Sequence, residues 1–182
     1  QQKLISEAPS SAELIKPWLR WRDVNRWNVT SANLYVIFMP HGVEISRYPA
    51  IEKHLRRFKA NLENRATSHL HPWYEMQQPQ MGCYFEFEKP KIVYPDIAKS
   101  PSFAYDESGA YITNTLYVIP TCEKYLLGIL NSNVVHFFYS QISAQVRGDY
   151  LRFIAQYVSQ IPIPTSSKKQ QGEITGIVEQ LL

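Results

Sequence analysis

Three short stretches of this chain hold residue types that could do chemistry together. In Lys91–Asp96 (KIVYPD), continued by Ile97-Ala98-Lys99-Ser100, a β-rich run stops at Tyr94-Pro95 and delivers a stacking group (Tyr94), an acceptor (Asp96) and a cation (Lys99) onto one loop. In 14–27 (LIKPWLRWRDVNRW), Trp18, Trp21 and Trp27 are interleaved with Arg20, Arg22 and Arg26, with Asn25 beside them. Arginine presents paired donors that fit guanine, asparagine fits adenine, and both reach phosphate, so this stretch has the vocabulary of duplex reading. Asp23 could instead pair internally with Arg20 or Arg22. Arg147 precedes Gly148, which lets the backbone come close to a phosphate.

Each of these has a plainer reading. Asp96 after proline can cap its own turn, Tyr94 can be a strand end, and the tryptophans suit core or hinge packing because a closed duplex shows no base faces. Pro95-Asp96 gives the first half of a nuclease PD…(D/E)xK pattern. The only ExK-like run, Glu86-Phe87-Glu88-Lys89, precedes it at the wrong spacing, so a degenerate nuclease is the furthest that reading goes. His69 and His71 lie near Glu75 with no third ligand at convincing spacing, and no metal site is expected.

Other catalytic signatures are missing. The sequence has no GxGxxG, no GxxxxGK, no GxSxG and no HExxH. A DNA amino methyltransferase would need an Asn/Asp-Pro-Pro-aromatic loop, and Pro-Pro does not occur. The chain is therefore expected to catalyse nothing on its own. Its 182 residues, 45% hydrophobic and 13% aromatic, suffice for an ordinary folded core. Cys83 and Cys122 lie far apart without zinc or disulfide spacing, which suits a reducing compartment. The chain contains no apolar run of membrane-spanning length, and no signal peptide is expected. Net charge is +3, yet residues 1–70 carry 11 Lys and Arg against 6 Asp and Glu, and residues 71–182 carry 8 against 10. A basic first part suits a polyanion, and equally a solvated face.

The elements that must position these groups follow from periodicity and punctuation. Leu34–Phe38 reads as a buried strand. Tyr48-Pro49 opens a helix with Ile51, Leu55, Phe58 and Leu62 on one stripe and Lys53, Arg56, Arg57 and Lys59 on other faces. Strands are predicted at Tyr84–Phe87, Lys91–Tyr94, Phe103–Asp106, Tyr111–Thr113 and Thr115–Ile119. Glu123–Gln141 reads as a second helix, with Val134, Phe137 and Phe138 among its core residues and a break or restart at Asn131-Ser132-Asn133. Tyr150–Phe153 reads as a further strand, Ile161-Pro162-Ile163-Pro164 as an extended exit, and Ile174, Ile177, Val178 and Leu181 as the stripe of a terminal helix. The expected division is 1–164 for the domain and 165–182 for a polar linker and helix start. The opening at Gln1 suggests a fragment of something longer.

Several segments, in order over almost the whole chain, resemble one family. They are Ile15-Lys16-Pro17-Trp18-Leu19-Arg20 with Arg22-Asp23-Val24; Leu34–Phe38; Tyr48-Pro49-Ala50-Ile51; Trp73-Tyr74-Glu75; Pro90–Ala98; Asn114–Ile119; Tyr125–Ser132; Arg147-Gly148; and Ile161–Pro164. The chain resembles the TaqI-like C-terminal specificity domain, the target-recognition domain of adenine-specific DNA methyltransferases and type IIG restriction-modification enzymes. Trp21 stands where the family often has glycine. The resemblance implies an α/β (α+β) fold, a mixed, mainly antiparallel sheet with packed helices followed by a C-terminal helix. It also implies a double-stranded DNA partner and a methyltransferase domain preceding it in the same polypeptide. That domain would bind S-adenosylmethionine and flip the adenine, with or without an endonuclease activity; no cofactor is expected in this chain. The implied setting is the cytoplasm of a bacterium or archaeon. Arg20, Arg22, Asn25, Arg26, Tyr94, Asp96, Lys99 and Arg147 are the expected DNA contacts. The alternative is a protein-interaction module docking another subunit of a defence complex.

Overall fold

A computed structural model describes residues 1–79, 82–146 and 148–182. In chain order it forms α1 (Gln2–Glu7), β1 (Ile15–Leu19), β2 (Trp27–Asn28), β3 (Tyr35–Ile37), α2 (Pro49–Arg56), α3 (Lys59–Glu63), β4 (Lys91–Pro95), β5 (Ile97–Ala98), β6 (Ala104–Asp106), β7 (Tyr111–Ile112), β8 (Leu116–Ile119), α4 (Lys124–Leu130), α5 (Asn133–Ile142), β9 (Leu151–Arg152), α6 (Ala155–Val158) and α7 (Lys168–Leu181). The fold is mixed α/β with mainly antiparallel pairing. The chain divides into two units, residues 1–17 with 33–85, and residues 18–32 with 86–182. β1 runs from the first into the second.

In the first unit, the opening half of β1 pairs antiparallel with β3, Ile15 opposite Ile37 and Pro17 opposite Tyr35. β3 is shorter and more exposed than its apolar sequence suggests, with Tyr35 41% exposed. Pro49 starts α2, where its missing N–H is no loss. The stripe does not continue as one helix. α2 ends at Arg56 and α3 begins after Phe58, which leaves helical geometry and stays exposed. Leu14, Ile15, Met39, Tyr48 and Ile51 form this unit's small core.

The second unit is built around β4. Its five side chains are all buried, which for each apolar one contributes about 1.5–3 kcal/mol. β4 is central in the order β2-β6-β4-β8, antiparallel to β6 and β8, while β2 runs parallel to β6. The end of β1 pairs parallel with β7, and β5 pairs with β9. Lys91 is an unexpected occupant of this centre. Its ammonium donates to Asp106 at 2.5 Å and to the Phe87 carbonyl at 2.6 Å, and Asp106 also accepts from the Ser108 amide and hydroxyl. Burial lowers the Lys91 pKa and Asp106 opposes that shift.

Helices cover this sheet where the sequence places them, with two corrections. Tyr84–Glu88 is a 3-10 turn in place of the predicted strand Tyr84–Phe87. Val134 and Phe137 face solvent, 77% and 72% exposed, because α5 restarts at the Ser132 cap with a new rotation relative to α4. Val135 and Tyr139 are its buried residues instead. α7 packs on α4 through Gly128, where a Cβ would lie 2.8 Å from Ile174 Cγ2 and 3.0 Å from Val178 Cγ2.

Candidate nucleic-acid interface

The interleaved Trp/Arg stretch folds into a compact loop in the second unit. Residues Trp21–Asp23 make a 3-10 turn, closed by the Asp23 amide donating to the Arg20 carbonyl at 2.9 Å. The chain then doubles back, with Val24 bridged to Val29 and the Thr30 amide donating to the Asp23 carbonyl at 2.8 Å. Trp27 occupies the left-handed region at φ 85°, a conformation that costs a non-glycine residue about 1–3 kcal/mol. Its amide donates to the Phe103 carbonyl and its ring packs against the main core, and these contacts hold the strained turn in place.

The arginines on this loop divide by partner. Arg20 clasps Asp23 bidentately, Nε to Oδ2 at 3.0 Å and Nη2 to Oδ1 at 2.9 Å, while its amide also donates to Oδ2. Asp23 is 4% exposed, and the hydrogen bonds from Arg20 hold its carboxyl below the usual value despite burial. Arg20 is therefore an internal strut. Arg26 donates to the backbone carbonyl of Asn131 and lies 5.2 Å over the Trp27 ring. Asn131 in turn exchanges two hydrogen bonds with the Phe103 backbone, so Arg26 is tethered to the core end of α4. Arg22 is exposed, with its guanidinium 5.8 Å from the ring centre of Trp21 and no ion pair among the described residues. Asn25 donates to the Thr30 hydroxyl at 3.0 Å and is exposed.

The KIVYPD loop is placed differently. Tyr94 is 3% exposed, tilted against Phe103 and stacked on Tyr117, and burial raises its pKa far above the ordinary value. Its ring cannot face a duplex, so Tyr94 leaves the set of contacts. Asp96 serves through its backbone: its amide donates to Thr115 and its carbonyl accepts from Phe153. Its half-buried carboxylate makes no hydrogen bond among the described residues, the turn cap included. Lys99 is exposed and sits 5.3 Å from the Tyr150 ring centre. Arg147 lies outside the described residues. Trp21, expected in a core or hinge, is 57% exposed beside Arg22 and is a candidate that sequence reasoning passed over. The signal was its substitution for the glycine common in the family.

On the basic helices of the first unit, Arg56 pairs with Glu52 and Lys59 with Glu63, leaving Lys53 and Arg57 as the exposed cations without an ion pair there, among the described residues. Arg65 is spent on structure, donating to the carbonyls of Leu62, Trp73 and Glu75.

Residues 16–163 match the family described as the TaqI-like C-terminal specificity domain. The chain belongs to this family. Among curated relatives, the type II methyltransferase M.BanIII of Aneurinibacillus aneurinilyticus is 27% identical over 151 residues, 78% of this chain and 26% of the relative. M.XhoI of Xanthomonas vasicola is 28% identical over 130 residues, 67% of this chain and 23% of that protein. M.MjaIV of Methanocaldococcus jannaschii is 24% identical over 182 residues, 93% of this chain and 61% of the relative. The specificity domain thus spans about a quarter of the length of the first two. Its fold is that of part of the type IIL restriction-modification enzyme MmeI, solved in complex with DNA: TM-score 0.66 and 15% identity, over 98% of this chain and 24% of that one.

Proposed function

We propose that this specificity domain binds double-stranded DNA and selects the target of an adenine-specific DNA methyltransferase. The observation that carries the reading is a rigid loop, fixed by the Arg20–Asp23 clasp and the strained Trp27, that presents Arg22, Asn25 and Arg26 to solvent within a domain of the specificity family. Rigid presentation suits base reading, since paired donors must meet base edges in one geometry. Lys99 adds a cation suited to phosphate. The methyltransferase domain, proposed to lie in the same polypeptide, would hold S-adenosylmethionine and carry out methyl transfer. The test is a titration of duplex binding against salt. Each neutralised phosphate contributes about −0.9 to the slope of log K against log salt, so a steep slope is expected and a flat one contradicts the reading.

A second reading, protein docking, is favoured by exposed Val134 and Phe137 on α5. Salt-insensitive association with a methyltransferase subunit, without duplex binding, would support it.

A further inference from the structure

His41, His71 and Glu75 come together in the first unit, with one ligand atom from each lying within 4.8 Å of the others. His71 and Glu75 are near in sequence, but His41 arrives from the turn after β3. The two imidazole rings stack at 5.0 Å between centres. Glu75 is 3% exposed and has no ion-pair partner among the described residues; its carboxylate accepts one hydrogen bond, from the Gly42 amide at 2.8 Å. A buried carboxylate is costly unless a cation compensates it.

The hydrogen bonds around the imidazoles fix their tautomers. His41 Nε2 lies 2.9 Å from the Met76 carbonyl, and a carbonyl only accepts, so Nε2 carries the proton and Nδ1 keeps a lone pair. By the same logic His71 Nδ1, 3.1 Å from the Pro72 carbonyl, carries the proton, and its Nε2 lies 3.1 Å from the Thr67 hydroxyl, which is also 3.5 Å from the Gln77 carbonyl. An N–H held by a backbone carbonyl is the arrangement of metal-binding histidines, and at His71 a metal would displace the Thr67 hydroxyl from Nε2.

We propose that His41, His71 and Glu75 form a binding site for a divalent cation of the zinc class, with water in the fourth position. Two imidazoles and one carboxylate favour zinc over magnesium or calcium, which prefer oxygen ligands. Zinc–ligand bonds of about 2.0–2.2 Å set tetrahedral ligand atoms about 3.4 Å apart, so binding closes the widest gap by up to about 1.4 Å. The exposed His41 ring can supply that movement. The ion has a structural task. Residues 64–83 contain no helix or strand among the described residues, and this unit's core is small, the circumstances in which domains use a metal staple. It would clip the turn at His41-Gly42 to the 71–76 segment, which the Met76 amide already joins to the Met39 carbonyl at 2.8 Å.

The test is a titration of the 182-residue chain with Zn2+ against a chromophoric chelator, with Co2+ as a spectroscopic probe of tetrahedral coordination. One equivalent is expected to bind, and to raise the thermal midpoint. His41→Ala, His71→Ala and Glu75→Gln should each weaken binding at least tenfold, while His69→Ala leaves it unchanged. Circular dichroism checks that each variant folds. If His71→Ala or Glu75→Gln does not, His41→Ala, in an exposed turn, decides the matter. No binding by the wild-type chain, or binding unchanged in His41→Ala, overturns the site.

Discussion

Arg20 and Arg22 stand two positions apart and do different work, because Arg20 already engages both oxygens of Asp23. Arg22→Ala should leave the fold intact and weaken duplex binding. The loss is about 1–3 kcal/mol if Arg22 reads a base, or a salt slope reduced by about 1 if it meets a phosphate. Fluorescence anisotropy at several salt concentrations distinguishes these, and unchanged binding at low salt removes Arg22 from the interface. Asp23 supplies a pH signature. Its folded pKa is depressed, chiefly by the Arg20 hydrogen bonds, so the stability it contributes is present above its ordinary value of 3.8 and is lost as pH falls through the lower folded value. Denaturant unfolding should therefore show wild type more stable than Asp23→Asn at pH 7, with the gap narrowing below pH 3.8. A gap that stays constant would mean that the clasp does not titrate. The sequence showed both roles for Asp23 but could not choose, since spacing does not say which arginine's fork meets the carboxylate. The His41 partnership was illegible for a related reason: ligands separated by two helices and a long loop have no local spacing to read.

Elements were legible where the chemistry was local. Pro49 opening α2, the restart of α5 at Ser132 and the strand content of 91–119 follow from capping and β-branched runs. Periodicity failed where a helix changed direction. The apolar stripe through Phe58 and Leu62 crosses two helices, and Val134 and Phe137 continue the α4 stripe in sequence but not in space. Aromatic-rich Tyr84–Phe87 read as a strand because β propensity describes a half-buried surface and not a backbone path. Gly128 shows what a pattern cannot carry. It reads as a weak point in a helix, yet it lets α7 approach α4. Gly128→Ala should gain helix propensity and still lose stability, by about 1–3 kcal/mol, since the new methyl meets branched carbons near the α7 backbone. Thermal unfolding checks the sign; a stabilised variant would show that α7 yields freely.

At the scale of the whole molecule, the first 70 residues carry the charge excess, and they run through both units, since residues 18–32 belong to the second. The charge excess of that stretch thus includes Arg20, Arg22 and Arg26 of the second unit together with Lys53 and Arg57 of the first. Family order along the chain was the stronger guide, because it reports the succession of elements that hold the loop, and residues 16–163 match that family. The most direct test of target recognition is selection of bound duplexes from a randomised pool by the 182-residue chain, followed by sequencing. A short enriched motif, blurred or lost with Arg22→Ala, is the predicted result. Binding without enrichment of any sequence, or no binding at low salt, would contradict it.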